Sequence, residues 1–460
     1  MTLVLFLSGA LLAVMAVVEF ATFFRLRRIT FLTAVHVLIA IGYCLPPFLI
    51  QLLPGTSWER GVTTAADPNP WGARLYILDL ADHLNLPANT FISVGIILFG
   101  AYAVMAAAYF AVSHKGPSSL NSRGLSVPAL TGIGIFLGLV SVAAMTLYAS
   151  QFESFRHFIG TGMHIRNGTA TAKWGSLQVL AQLALPSYLM LVAAALGAKG
   201  KWRAVLGLAA CLVFAVGFIR ILHVGGRIEL GMYILTPVAA LLFLTRSRTV
   251  AYLVAACIIM AVLMISNLPH AFGRNPLAFG LETLLNGVEN FAHRIVFVVA
   301  EFAFPHIVSA HALTATPDPI ALRYFIDIPL GLLYMLPNFT GVETLPPMVL
   351  SLHAKILPWI PVDLFSFGYF SLGTLGVLIT FAAFGVLLAL FDGWLSESVG
   401  WFGQALRTAW LFYLPFRLYY ADPYAALQSG FGLITGTIVV IGLAMLARRT
   451  EKQQDRSAPS

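Results

Sequence analysis

The run Arg220-Ile221-Leu222-His223-Val224-Gly225-Gly226-Arg227-Ile228-Glu229 sets two arginines, a histidine and a glycine pair at the junction of two apolar stretches. Arg220 and His223 stand three residues apart and share a helix face. Gly225-Gly226 suits a tight turn that frees the amides opening the next helix, with Arg227 in its first turn. Helix-opening amides beside an arginine attract anions, and guanidinium groups grip phosphate oxygens in pairs. The junction therefore reads as a diphosphate site held by Arg220, His223 and Arg227. Arginines snorkelling to lipid headgroups are the alternative, and Glu229 stands where it can neutralise one of them.

A second cluster is Glu289-Asn290-Phe291-Ala292-His293-Arg294. On a helix Asn286, Asn290 and Arg294 line one face, and Glu289 meets His293 at i, i+4. A histidine oriented by a carboxylate is a general base; a solvated face with an incidental ion pair is the competing account. A third group, His306, His311, Arg323 and His353, shares one inter-span region and is the second source of a base. A fourth, Gln151 to Lys173, holds Glu153, Arg156, His157, His164, Arg166 and Lys173. It suits a phosphate or a sugar, and ordinary loop charge explains it equally well. Trp58, Trp71, Trp174 and Trp359 lie beside these segments, where stacking on sugars competes with the usual interfacial role of tryptophan.

The elements that must position these residues are membrane helices. The chain of 460 residues is 59% hydrophobic and 10% charged, with mean hydropathy +0.86. Apolar stretches fall at 2–24, 30–53, 89–113, 127–149, 176–197, 204–222, 229–245, 249–268, 364–391, 407–421 and 429–447, each about the length that crosses the ~30 Å hydrocarbon core. The expected fold is an all-α polytopic membrane protein of about 11 transmembrane helices. Its expected parts are a bundle over 1–268, a long external loop with amphipathic helices over 269–363, further helices over 364–448 and a tail over 449–460.

Linkers at Arg25-Leu26-Arg27-Arg28, His114-Lys115 with Arg123, Lys199 to Arg203, Arg246-Ser247-Arg248 and the tail from Arg448 are basic. Positive charge marks the cytoplasmic side, so the N-terminus is expected outside, the C-terminus inside, and the chemistry-bearing loops 54–88, 150–175, 223–228, 269–363 and 422–428 outside. The net charge of +8 reads as anchoring charge against anionic headgroups rather than a nucleic-acid surface, because no basic run interleaves with aromatics. Cys44, Cys211 and Cys257 sit in apolar stretches as packing residues, with no zinc spacing among them. In the long loop an amphipathic helix is expected over Leu281 to Phe304 and an apolar piece over Ile326 to Leu336. Pro305, Pro317, Pro319, Pro329, Pro337, Pro346, Pro347, Pro358 and Pro361 are expected to break that loop up.

Three features resemble the O-antigen polymerases of the Wzy type, the oligosaccharide repeat unit polymerases. They are the Gly225-Gly226-Arg227 turn opening a span, and the long external loop with Arg294 followed by Ile328-Pro329 and a proline-rich stretch. The third is the entry Val362-Asp363-Leu364-Phe365-Ser366-Phe367-Gly368-Tyr369-Phe370-Ser371-Leu372-Gly373-Thr374-Leu375-Gly376. The likeness covers mostly 200–440, and the acidic residue of the last motif is offset, at Asp363. It implies a GT-C-like membrane glycosyltransferase of the bacterial inner membrane. Such an enzyme joins undecaprenyl-diphosphate-linked repeat units on the periplasmic face without a metal or other cofactor, to build a surface polysaccharide. Its partners would be the lipid-linked oligosaccharide, membrane lipids and a chain-length regulator protein.

Under that reading Arg227, Arg294, His293 and Glu289 are the catalytic set. Arg220, His223, Arg166, Arg323, His311 and His353 bind diphosphate or sugar, and there is no metal ligand. An O-antigen ligase would share the chemistry and differ in acceptor. A transporter or flippase of lipid-linked sugars instead calls for polar groups at mid-membrane, where the spans read as nearly all apolar with Glu301 the exception.

Overall fold

The computed structural model of the chain describes residues 2–26, 29–52, 86–113, 126–166, 172–224, 229, 231–233, 236–237, 304–314, 322–334, 361–395 and 401–457. Every regular element among them is helical. In chain order these are α1 (Thr2–Leu26), α2 (Phe31–Ile39), a π-helical turn (Ala40–Cys44), α3 (Leu45–Leu52), α4 (Ala88–Ser113), α5 (Val127–Ala149) and α6 (Phe155–Arg166). Next come α7 (Gly175–Leu180), a 3₁₀ turn (Ala181–Leu183), α8 (Ala184–Gly197), α9 (Lys201–Val224), α10 (Phe304–Thr314) and α11 (Asp327–Tyr334). The chain ends with α12 (Leu364–Leu395), α13 (Trp401–Tyr413), a 3₁₀ turn (Pro415–Leu418) and α14 (Pro423–Ser457).

Eight stretches among the described residues are long and apolar enough to cross a membrane: Thr2–Phe24, Phe31–Phe48, Asn89–Ser113, Val127–Ala149, Gly175–Gly197, Lys201–Val224, Leu364–Leu395 and Pro423–Leu443. Phe6, Val17, Phe20, Phe136, Leu139, Leu208 and Leu212 stay exposed on them, as side chains facing lipid do. The chain is membrane-embedded. The stretches expected at 229–245 and 249–268 fall almost wholly outside the described residues, as does the helix expected over Leu281 to Phe304.

Two expectations are corrected. The apolar run 407–421 is not one span: α13 ends at Tyr413, and Pro415 leads a 3₁₀ turn, because proline supplies no amide to continue the ladder. Pro305 and Pro329 do not interrupt the long loop but start helices, in the first turns of α10 and α11, where the amide that proline lacks would have no intrahelical partner.

The chain forms two compact units, each assembled from distant segments: Met1–Gly116, Leu284–Asp392 and Leu414–Ala426 in the first, Pro117–Thr283, Gly393–Tyr413 and Leu427–Ser460 in the second.

The first unit packs α1 on α4 and α10 on α4 and the π turn. Thr30 opens α2 with a capping box, its hydroxyl accepting from the Thr33 amide at 3.1 Å and its own amide donating to the Thr33 hydroxyl at 3.1 Å. Widening the helix to a π turn disturbs the regular pairing of carbonyls just before it. The Tyr419 hydroxyl donates to the Leu38 carbonyl at 2.5 Å, and its ring fits because position 42 is glycine.

In the second unit α8 packs on α5 and α9. The approach is close because α5 presents Gly134 and Gly138 one turn apart, the small-residue spacing that lets membrane helices touch. Gly134 meets Leu191 and Met190, and Gly138 meets Ser187 and Val213. Ser187 donates to the Gly134 carbonyl at 2.6 Å and Ser141 to the Ala181 carbonyl at 2.7 Å. Gly432 and Gly436 of α14 give Gln182 and Pro186 the same clearance.

A Gly138→Leu substitution drives a side chain into Ser187 and Val213. It is expected to destabilise the protein by about 1–3 kcal/mol, read as a lowered thermal unfolding midpoint in detergent. Gly132→Ala, which meets nothing, does not lower the midpoint, since alanine is the better helix former.

Candidate functional site

The arginine–histidine junction is built differently from its sequence reading. Arg220 and His223 do share the buried face of α9, but both are already engaged. The Arg220 guanidinium donates through Nη1 and Nη2 to the Glu229 carboxylate and through Nε to the Gln178 carbonyl at 2.9 Å. Arg220 is 4% exposed and Glu229 7%. A buried arginine must be paired to tolerate its desolvation, and Glu229 meets that need, as its position in the sequence suggested. His223 is fully buried, between the Tyr148 hydroxyl at 2.9 Å and the Phe158 carbonyl at 2.7 Å, and stacked 4.0 Å from the Phe158 ring. In this structure both residues tie α9 to α5, α6 and α7, and neither presents a polar group to a ligand. Gly225, Gly226 and Arg227 lie outside the described residues, as do Glu289, His293, Arg294, Glu301 and His353. Arg166 ends α6, and nothing is described of its side chain.

A denser constellation lies in the first unit, where α10, the turn 322–326, residues 361–363 and the segment 414–422 meet. Asp363 is wholly buried and precedes α12. It accepts from the Tyr43 hydroxyl at 2.5 Å, the Ser309 hydroxyl at 2.8 Å and the Ser366 amide at 3.1 Å. Burial pushes its carboxyl above the usual range, and the donated hydrogen bonds oppose that shift without cancelling it. Ser309 and His306 stand three apart on α10. His306 is buried and stacks 5.0 Å from Phe91, and its Nδ1 has no hydrogen-bond partner. Burial holds its imidazole down to about 4, so it is neutral near pH 7. His311, in the last turn of α10, is partly exposed and also lowered by burial.

Beside this cluster α12 breaks. Leu372 leaves the helical region at φ −154°, ψ 35°, and Gly373 adopts φ 61°, ψ −150°, a region essentially restricted to glycine. The break frees the Phe370 and Ser371 carbonyls, which would cost several kcal/mol each unpaired in an apolar medium. The Arg323 and Tyr324 amides take them, at 3.0 and 2.9 Å. The turn that delivers these amides is strained, with Tyr324 at φ 49° and Phe325 at φ 61°. It is held by a two-pronged Arg323–Asp327 pair, both contacts 2.6 Å. Gly368 and Gly376 let the broken ends close on each other, since a Cβ on Gly376 would overlap the Gly368 carbonyl. The Ala421 amide bonds the Val362 carbonyl at 2.8 Å, and Asp422 caps α14 through the Ala425 amide at 2.8 Å. Arg417 is buried, its guanidinium 6.0 Å from the Tyr420 ring centre.

Of the residues singled out from sequence, this region gathers His311 and Arg323, with His306 of the third group. It adds Asp363, known beforehand only as an offset motif residue, and Tyr43, Ser309, Arg417 and Asp422, which sequence reasoning missed. Tyr43 and Ser309 are single polar residues in apolar company. Their one sequence signal is that such residues in lipid must find partners. In the second unit's 150–175 segment, Glu153, His157 and Lys173 are exposed, and the Lys173 amide bonds the Gln151 side chain at 2.9 Å.

His306 links stability to pH. Its folded pKa lies below the unfolded 6.5, so the unfolded chain binds a proton that the folded chain refuses. Stability is unaffected above pH 6.5 and falls as pH drops from 6.5 towards 4, by about 3 kcal/mol for this residue. His306→Phe, which keeps the stack on Phe91, is expected to flatten that part of the unfolding-midpoint profile measured against pH.

No protein-family model, no curated protein and no solved structure matches the chain.

Proposed function

We propose that the chain is a membrane glycosyltransferase that polymerises undecaprenyl-diphosphate-linked oligosaccharide repeat units into a surface polysaccharide, working on the periplasmic face of a bacterial inner membrane. The observation that carries the reading is the coincidence of two features. Val362 to Gly376, a segment on which the resemblance rests, includes the break in α12. Around that break stand His306, Arg323, Asp327, Asp363, Arg417 and Asp422, on segments held together by hydrogen bonds and packing. Irregular backbone at membrane depth is tolerated where it is buried in protein or lines a polar cavity, and buried ionisable groups concentrate where chemistry is done. The basic linkers orient the N-terminus and the 269–363 region outward and the C-terminus inward.

In the proposed reaction a sugar hydroxyl of one repeat unit attacks the anomeric carbon of the chain on another carrier. The anomeric C–O bond breaks, the diphosphate leaves on its lipid, and the hydroxyl proton passes to a base. Arginines stabilise the charge developing on the diphosphate. With Arg220 occupied by Glu229, Arg227 and Arg294 remain the leading candidates. The base is drawn from His293, four residues after Glu289 in the sequence, or from His311, which unlike His306 is partly open to solvent. A chain-length regulator is the expected protein partner.

A second reading, a flippase or transporter of lipid-linked sugars, is favoured by one observation. Glu19, His36 and Asp392 lie within membrane spans and are bonded to other polar groups there, although the sequence read as nearly apolar at mid-span. A ligase remains the alternative with the same chemistry.

The test is the surface glycan of the native host. With Arg227→Ala or Arg294→Ala protein present at normal membrane levels, the glycan ladder is expected to collapse to a single repeat unit. Persistence of long chains with both arginines replaced sinks their assigned role. Loss of all surface glycan, with lipid-linked units retained inside, points to the flippase. Long chains accumulating on their lipid carrier point to the ligase.

A further inference from the structure

The level of the break in α12 follows from where that helix is pinned to α2. α2 opens at Phe31, just after the basic run Arg25 to Arg28 that marks the cytoplasmic face. Asp392 accepts from the Phe31 amide and so lies at that inner end. From Asp392 back to Gly373 the helix rises nineteen residues, about 28 Å at about 1.5 Å each, nearly the whole depth of the hydrocarbon core. The arm of α12 after the break therefore crosses the membrane alone, and the break stands at the outer boundary.

A second route reaches the same level. Tyr43 follows Phe31 by twelve residues, about 18 Å further out, and its hydroxyl bonds Asp363. The arm before the break, Leu364 to Ser371, adds about 12 Å. It runs back along the later arm, since Gly368 abuts Gly376, Val377 and Thr380, so its length counts outward.

The turn 322–326 is held at this level by the bonds from the Arg323 and Tyr324 amides to the Phe370 and Ser371 carbonyls. α11 continues from the turn, and Gly331 packs on Pro423 and Tyr424 where α14 opens. The charged side chains of 322–334 are Arg323 and Asp327, and they are paired with each other. On α11, Asp327 and Gly331 form the buried face, and Ile328, Leu332 and Leu333 stand on the other. Together with Tyr324 and Ile326 these are large side chains 40% to 63% exposed.

An uncharged apolar face of this kind needs a cover. Its level supplies one. Leu375 and Ile379, just past the break on a membrane span, are exposed in the same way, so the lipid-facing surface of α12 reaches the level of the turn. Tyr324 stands at the depth where tyrosine is enriched, between headgroups and acyl chains. A second copy of the chain fits less well, because five half-exposed side chains fall short of the roughly 800 Å² per partner that a stable interface buries.

We infer that the turn 322–326 and α11 are seated in the outer leaflet, with Ile326, Ile328, Leu332 and Leu333 against lipid acyl chains and Tyr324 at the headgroup boundary. The segment expected to lie in an external loop is thereby a membrane-docking surface. Its lipid contact and the closure of α12 depend on one turn, because the Arg323–Asp327 fork holds both. This holds whichever reaction the protein carries out.

The test is site-directed spin labelling of the full-length protein, with Cys44, Cys211 and Cys257 replaced by alanine, in nanodiscs of phosphatidylethanolamine and phosphatidylglycerol. Labels are placed singly through Ile328→Cys, Leu332→Cys, Leu375→Cys, Ile379→Cys and Leu387→Cys, and each variant is kept only if it elutes as the wild type does. Collisions with oxygen, which concentrates in hydrocarbon, are compared with those of a water-soluble nickel chelate. At Ile328 and Leu332 oxygen is expected to dominate, at a depth close to that of Leu375, and Leu375 is expected to be shallower than both Ile379 and Leu387. Dominant nickel collisions at Ile328 and Leu332 place α11 in water and overturn the docking surface. Low access to both reagents means that protein covers this face, and overturns it equally. A Leu375 label as deep as the Ile379 label overturns the level assigned to the break.

Discussion

Much of the first unit depends on one constraint: a polar group placed in an apolar medium must find its partner inside the protein. Asp363 and Asp392 flank the two ends of α12, and each is satisfied from the α2 region: Asp363 by Tyr43 at the π turn, Asp392 by the Phe31 amide at the start of α2. The two segments are thereby pinned antiparallel at two points. Ser309 brings α10 to the first pin, and Tyr109 brings α4 to the second. Apolar packing in lipid is non-directional and leaves register open; these carboxylates fix it.

The break in α12 follows from the same constraint. A spanning helix can be interrupted only if the released carbonyls are captured, and here the capture comes from a turn nearly fifty residues earlier in sequence. That turn places two non-glycine residues in left-handed conformations and is held by the Arg323–Asp327 fork. Arg323 thus acts twice, its amide closing the helix break and its side chain holding the turn that supplies the amide.

In the second unit the membrane-facing economy is steric as well as polar. Gly134, Gly138, Gly432 and Gly436 let backbones approach closely, and Ser187 and Ser141 use that proximity to bond carbonyls on neighbouring elements. The Arg220–Glu229 pair belongs to the same scheme, because a cation on the buried face of α9 demands a nearby anion. A motif that in sequence suggests phosphate binding is, at Arg220 and His223, a device that joins helices.

The sequence by itself determined that the chain is helical and membrane-embedded, and it located eight of the spans. Length and apolarity are sums over local residues, and a bilayer reads little else. It also placed Glu229 within reach of an arginine, because pairing nine residues apart across a tight turn is a local matter. Only the tertiary structure decided that Pro305 and Pro329 begin helices, that 407–421 divides at Tyr413 and Pro415, and that Glu19, His36, Tyr43 and Ser309 are not incidental polar residues. The four polar residues depend on partners 14 to 320 positions away, from Thr33 for Glu19 to Asp363 for Tyr43. Periodicity carries no record of which distant hydroxyl or amide will satisfy a buried charge, since that is settled by how the helices pack.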